Sequence, residues 1–288
     1  MSRSGRFILG VLLVFLSANF AISAAAENTI TIANFNIQMF SPKKAAKPEI
    51  MDTLAKIISR FDIVAIQRIR DPNYEAIEKL EQATDALGID YSYIIGPRLG
   101  RTSSKEQYAY LYKAGVVAPD GFYTYEDPTN TFHRAPLIAK FKVKDGTLGF
   151  VLITIHTDPK AAKEEINALP KVVEDAKEHF PGEKDFIILG DLNADCTYFE
   201  GDDMSSPLAD PQYTWLIDNS VATNLASESC AHNRIIVTTA MAKEDYASAM
   251  GSGAFRFDEA FGLSPNQAKQ VSNHYPVFST FFTDRDTD

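Results

Sequence analysis

The chain has 288 residues, 45% of them hydrophobic and 23% charged, with a formal net charge of −10. That balance excludes a disordered polymer, a fibrous repeat and a multi-span membrane protein, and it allows one large core. An acidic chain is not a general polyanion binder, so contact with nucleic acid requires a local basic patch or a metal.

The start of the chain differs from the rest. Arg3 and Arg6 precede an apolar run at 8–16, and small residues stand at Ala24 and Ala26. A basic n-region, an apolar h-region and an A-x-A-type cleavage site predict a secretory signal peptide over 1–26, too short to serve as a mature anchor. Its removal leaves one expected domain over 27–288, an extracellular or periplasmic address and no membrane contact. The segment carries Arg3 and Arg6 and no acid, so its loss moves the formal charge from −10 to −12. Cys196 and Cys230 follow it. In an oxidising compartment such a pair is read first as a disulfide, worth roughly 3.5–4 kcal/mol by loop entropy, with two free thiols as the alternative.

A β-rich segment at 30–35 predicts a first strand ending at Asn36. Ile50, Leu54, Ile57 and Ile58 form a helical stripe over 48–60,. A buried strand follows at 61–66, then a helix over 73–87. Strands are expected at 91–95, 108–112, 137–141 and 150–155, the last running into His156. A long helix over 161–179 stops at Pro181-Gly182,. The run Phe186-Ile-Ile-Leu-Gly-Asp191-Leu-Asn193-Ala-Asp195-Cys196 is four apolar residues, a glycine, then two acids and an amide. It reads as a buried strand ending in either a simple turn or a site. Strands at 235–238 and 277–282 complete the pattern, and 102–106 and 199–211 are loops. Strand and helix alternate, then strands follow strands. The expected class is α/β with mixed sheets packed together and helices outside, not an all-parallel doubly wound sheet.

Several expected strands end in a polar side chain: Asn36, Gln67 and Arg68, His156, Asp191 and Asn193, Asn273 and His274. Five such ends from distant parts of the chain point to one shared site. A nucleophilic Ser272 beside His274 is a weaker reading, since the chain has no Gly-x-Ser-x-Gly elbow. It has no phosphate-cradling glycine loop either.

Eight stretches resemble the deoxyribonuclease I family within the endonuclease/exonuclease/phosphatase superfamily. They are Ala33-Asn-Phe-Asn-Ile37, Asp62-Ile-Val-Ala-Ile-Gln67, Leu99-Gly-Arg-Thr-Ser-Ser-Lys-Glu106, Ile153-Thr-Ile-His156, Glu165-Ile-Asn167, Gly190-Asp-Leu-Asn-Ala-Asp-Cys196, Cys230-Ala-His-Asn-Arg234 and Ser272-Asn-His-Tyr-Pro276. They occur in family order across nearly the whole chain after the leader. The resemblance implies a four-layer α/β/β/α sandwich, a Cys196–Cys230 bridge and hydrolysis of DNA phosphodiesters with magnesium or manganese. It implies His156 paired with Glu106 as one proton shuttle and His274 as the other. Asp191 and Asn193 would orient nucleophile and phosphate, Asn36 and Asp191 would face the metal, and Arg70, Arg101 and Arg134 would contact DNA.

The site departs from that pattern. Arg68 stands where the family has a metal-holding glutamate, and Asn233 where an aspartate orients the second histidine. Asn273 replaces the aspartate of a Ser-Asp-His triplet. A guanidinium repels a cation, and its expected partner is Asp191. An amide does not stabilise an imidazolium as a carboxylate does. Ala222 and Ala135 replace carboxylates of the calcium loops, and Ser104 replaces a DNA-stacking tyrosine. Calcium dependence and tight DNA binding are therefore not expected. The expectation is a secreted monomer of this fold, severely impaired in hydrolysis. The rival readings are an active metal-dependent nuclease and a non-enzymatic binder of DNA or protein.

Overall fold

A computed structural model describes residues 28–196, 203, 205–226 and 228–287. The expected leader over 1–26 and part of the 199–211 loop lie outside the described residues. Among the described residues, twelve strands form two six-stranded sheets. The first contains β1 (Thr29–Phe40), β2 (Ile63–Ile69), β3 (Tyr91–Ile95), β4 (Gln107–Lys113), β11 (Ser252–Ala254) and β12 (Val277–Phe282), in the order β11-β12-β1-β2-β4-β3. The second contains β5 (Val117–Thr124), β6 (Leu137–Val143), β7 (Gly149–His156), β8 (Phe186–Asp191), β9 (Tyr213–Trp215) and β10 (Asn233–Thr238), in the order β5-β6-β7-β8-β10-β9. Both sheets are mixed: β1–β2 and β7–β8 are parallel, and the other pairs are antiparallel.

The helices are α1 (Pro42–Ala45), α2 (Pro48–Ile58), α3 (Glu75–Asp85), α4 (Ala162–His179), α5 (Thr239–Glu244), α6 (Phe257–Ala260) and α7 (Pro265–Val271). Three apolar clusters separate the layers. Ile32, Tyr110, Phe141 and Leu189 meet between the sheets. Phe35, Leu54, Ile77 and Val271 fill the space between the first sheet and its helices. Ile153, Ile166, Leu169 and Ile188 join the second sheet to α4. The result is the α/β/β/α sandwich.

Period-two alternation explains where the site sits. Inward-facing positions on β1 read Ile30, Ile32, Asn34, Asn36, and on β2 Ile63, Ala65, Gln67. On β7 they read Leu152, Thr154, His156, and on β8 Ile187, Leu189, Asp191. Each inner face is apolar until its carboxyl end and polar there, so the parallel strands carry their polar residues to one edge of the sandwich.

The expected elements are observed within a residue or two, with two exceptions of consequence. The first strand continues past Asn36 to Phe40, and the second past Gln67 to Ile69. Their pairing shifts register between Asn36 and Phe40, and Gln38, Met39 and Arg68 take positive φ of 43°, 55° and 63°. Against β4, β2 holds one extra residue between Ile66 and Ile69, and this bulge carries Arg68 out of strand alternation,.

Candidate active site

The row His156–Asp191–Asn233 is set by strand register. His156 pairs across β7–β8 with Asp191, and Asn233 pairs across β10–β8 with the same residue. Register mates point to one face, so these three side chains are neighbours by construction. Gly190 permits the close approach: a Cβ there would lie 1.9 Å from the Ile155 carbonyl oxygen. The opposite wall comes from the end of β2, from the segment entering β4 and from the loop 272–274 before β12. Together they line a cleft of about 560 Å³ that includes Arg68, Glu106, His156, Asp191, Asn193 and His274.

Glu106 is the anchor of one side. Its Oε2 lies 2.9 Å from His156 Nδ1, and its Oε1 accepts from Arg70 at 3.1 and 2.7 Å. Arg134 Nε approaches to 3.7 Å and Arg68 Nε to 3.5 Å. Burial opposes ionisation of Glu106, but the His156 contact and the Arg134 and Arg70 guanidiniums hold it well below the usual carboxylate range,. Asp191 anchors the other side. Its Oδ2 accepts from Asn36 Nδ2 at 2.7 Å and its Oδ1 from the Asn193 N–H at 3.3 Å. His156 Nε2 and His274 Nε2 stand 3.7 and 3.6 Å from Oδ2. Burial again opposes ionisation, and the imidazoles of His274, His156 and His232 with the Asn36 amide outweigh it, so Asp191 is held well below its ordinary value.

His274 behaves differently. Burial pushes its imidazole down to about 4, against the pull of Asp191 and with that of Arg68. Its Nδ1 lies 3.2 Å from Asn233 Nδ2. Lys44 supports the end of β1, donating to the carbonyls of Ile37 and Gln38 at 2.6 and 2.9 Å. Burial and then the Arg68 charge push that ammonium down to about 7.

Some expected roles change with this geometry. Arg68 does not pair with Asp191; its near acid is Glu106, because the bulge turns it toward the β4 side of the cleft. Asn36 Oδ1 accepts from the Gln38 N–H at 2.8 Å, so the amide presents a donor to Asp191 and no oxygen to a cation. The three arginines read as DNA contacts occupy different places. Arg70 is bound to Glu106, and Arg134 is buried with its guanidinium on the His156 and Thr157 carbonyls. Arg101 is exposed and donates to the carbonyls of Asn130 and Phe132. Asn193 is tied to Thr157 by two contacts of 3.2 Å, and Asn273 lines the cleft with a buried, unbonded Oδ1. The Cys196–Cys230 disulfide is formed and ties the Asp191 loop to the start of β10. His232 and Lys269 also line the cleft and carry no expectation from the sequence. His232 stands in a motif stretch, and Lys269 in the last turn of α7, so their types were visible while their placement was not.

The donor set does not fit a divalent cation. Magnesium demands several hard oxygen ligands in octahedral array. Here Glu106 is taken up by guanidiniums and His156, Asp191 by Asn36 and Asn193, and the side chain next to Glu106 from β2 is the Arg68 guanidinium. Among the described residues, the one group of three or more His, Cys, Asp or Glu side chains close enough to share an ion is Cys196, Glu228 and Cys230, whose cysteines are bonded to each other.

A family model described as "Endonuclease/Exonuclease/phosphatase family" matches residues 33–285. Mouse "Deoxyribonuclease-1-like 2" is 33% identical over 272 residues, covering 93% of this chain and 97% of the relative. Rat "Deoxyribonuclease-1" is 33% identical over 285 residues, covering 94% and 96%. An endonuclease/exonuclease/phosphatase family protein from Bacteroides thetaiotaomicron superposes with a TM-score of 0.63 at 16% identity, covering 90% of this chain and 100% of that one, a likeness of fold.

Proposed function

The chain belongs to the endonuclease/exonuclease/phosphatase family, among deoxyribonuclease I-like relatives, and we propose that it is a secreted monomer whose phosphodiester cleft is retained but whose metal-dependent hydrolysis is severely impaired. The reaction of the family needs a divalent ion to stabilise charge on the phosphoryl group. The observation that carries the proposal is Arg68 in the cleft, 3.5 Å from Glu106, where a metal needs a carboxylate. What remains is a proton-shuttling pair, His156 held by Glu106, beside an Asp191 already engaged by Asn36 and Asn193. His274 Nδ1 faces the Asn233 amide where the mechanism calls for a carboxylate. The same aspartate-to-asparagine exchange costs about 10⁴ in turnover in a serine-protease triad.

The test is plasmid nicking with magnesium or manganese, with and without calcium. It compares the unmodified chain with one carrying Arg68→Glu, Asn233→Asp and Asn273→Asp together. Nicking only by the altered chain supports the proposal. Efficient nicking by the unmodified chain, abolished by His156→Ala, overturns it.

A further inference from the structure

The cleft has exchanged acceptors for donors. We propose that it binds a phosphate-type oxyanion directly, through Arg68 and the Nε2–H of His274, with no divalent cation, and that it favours a group bearing a P–OH. This rests on reading the cleft as a phosphate-recognising one and differs from the family reaction in dispensing with the metal.

Arg68 supplies the first donor. Its Nε–H is buried and makes no hydrogen bond among the described residues. Its nearest acid, Glu106, is already engaged by Arg70, Arg134 and His156, so Arg68 has no acid of its own. A guanidinium in that state is suited to an oxyanion.

The second donor follows from an amide pinned by a backbone carbonyl. Asn233 Nδ2 faces the Thr223 carbonyl at 3.3 Å, and Asn233 Oδ1 faces Asn34 Nδ2 at 3.5 Å. Asn34 Oδ1 in turn accepts from Gln67 Nε2, which also donates to Thr154 Oγ1 at 2.9 Å. A carbonyl only accepts, so Thr223 fixes the orientation of the Asn233 amide. Asn233 therefore presents N–H to His274 Nδ1, which must accept. A neutral imidazole whose Nδ1 accepts carries its proton on Nε2. That nitrogen is 3.6 Å from Asp191 Oδ2, beyond hydrogen-bond range, so its N–H is free for a ligand,.

Charge and acceptor placement agree. Arg68, Arg70, Arg134 and Lys269 line the cleft against Glu106, Asp158 and Asp191, one cation in surplus on a chain of net −10. Asn273 Oδ1 is a buried acceptor without a donor among the described residues. A monoprotonated phosphate or phosphomonoester supplies that donor, and a diester has none.

The experiment uses the disulfide-bonded chain in EDTA. Inorganic phosphate and dimethyl phosphate are titrated separately by calorimetry, and the His274 tautomer is read by long-range ¹⁵N–¹H NMR. Saturable binding of inorganic phosphate is expected, tighter than dimethyl phosphate. Arg68→Glu should weaken it at least about tenfold and Arg68→Lys by less, since a lone ammonium keeps charge but loses the fork. His274 should carry its proton on Nε2, and Asn233→Asp should move it to Nδ1. If Arg68→Glu does not fold, Arg68→Gln is read instead. Absence of saturable binding, binding indifferent to the Arg68 change, or an Nδ1–H tautomer in the unmodified chain would each overturn the inference. Dimethyl phosphate binding as tightly as phosphate overturns the preference for P–OH. No hydrolysis is measured, so this result and the nicking result fail independently.

Discussion

His274 is almost completely enclosed, and its environment sets a pH dependence that can be worked out by sign. Burial, with Asp191 opposing, lowers its proton affinity to about 4 from an ordinary 6.5. Between those values the unfolded chain binds the proton and the folded one does not, so stability falls as pH drops through that window. The loss is on the order of 3 kcal/mol. Urea titrations of the unmodified chain and His274→Gln, taken from neutral pH down to pH 4, should show their difference in unfolding free energy shift by about that amount, to the disadvantage of the unmodified chain. A difference that stays constant would mean that His274 does not titrate this way. At the same scale, Arg68 shows how one residue changes chemistry without changing fold. Its left-handed backbone at φ 63° belongs to the bulge, and its side chain places a guanidinium beside Glu106 in the cleft.

The strands carry the site because they are packed closely enough to hold it. Gly190→Ala forces a Cβ onto the Ile155 carbonyl oxygen at 1.9 Å, so β7 and β8 must part. A cost of roughly 3 kcal/mol or more is expected, visible as a large fall in the urea midpoint. The disulfide closes a separation of 34 residues. Replacing both cysteines with alanine should cost about 4 kcal/mol by loop entropy. The changed chain should also lose register at Asp195, whose carboxylate accepts from the Ala231 N–H at 2.6 Å. Thermal unfolding with and without the bridge measures this. The long elements were legible because their periodicity is strong, as in α4 and β7. The strand β5 was not: Pro119, Asp120 and Gly121 interrupt it, it is largely exposed, and pairing with β6 creates it. The helix α7 could have been found, since Ser264 and Gln267 form a capping box that the sequence displays,.

Across the whole molecule the charge balance limits what DNA can do here. The net charge of −10 opposes a polyanion, and of the three expected contact arginines only Arg101 is exposed. Binding of duplex DNA should therefore be weak and fall steeply with salt. Arg101→Ala should reduce the slope of log affinity against log salt by about 1, measured by fluorescence anisotropy over a salt series. An unchanged slope would place the contact elsewhere.

The amino-acid sequence by itself determined the layers, since alternation along each strand decides which face is apolar, and it determined the cysteine pair and the polar residues at the strand ends. Its resemblance to the family marked Arg68, Asn233 and Asn273 as positions where a carboxylate was expected. What the residues of the cleft meet was decided by tertiary structure. Arg68 has Glu106, not Asp191, as its near acid because a bulge of β2 against β4 turns it there. Asn36 shows its nitrogen to Asp191 because its oxygen is held by Gln38. His274 meets an amide whose orientation is set by the Thr223 carbonyl, distant from it in the chain. Hydrogen-bond direction depends on which donors and acceptors meet, and that meeting exists only once the two sheets have packed.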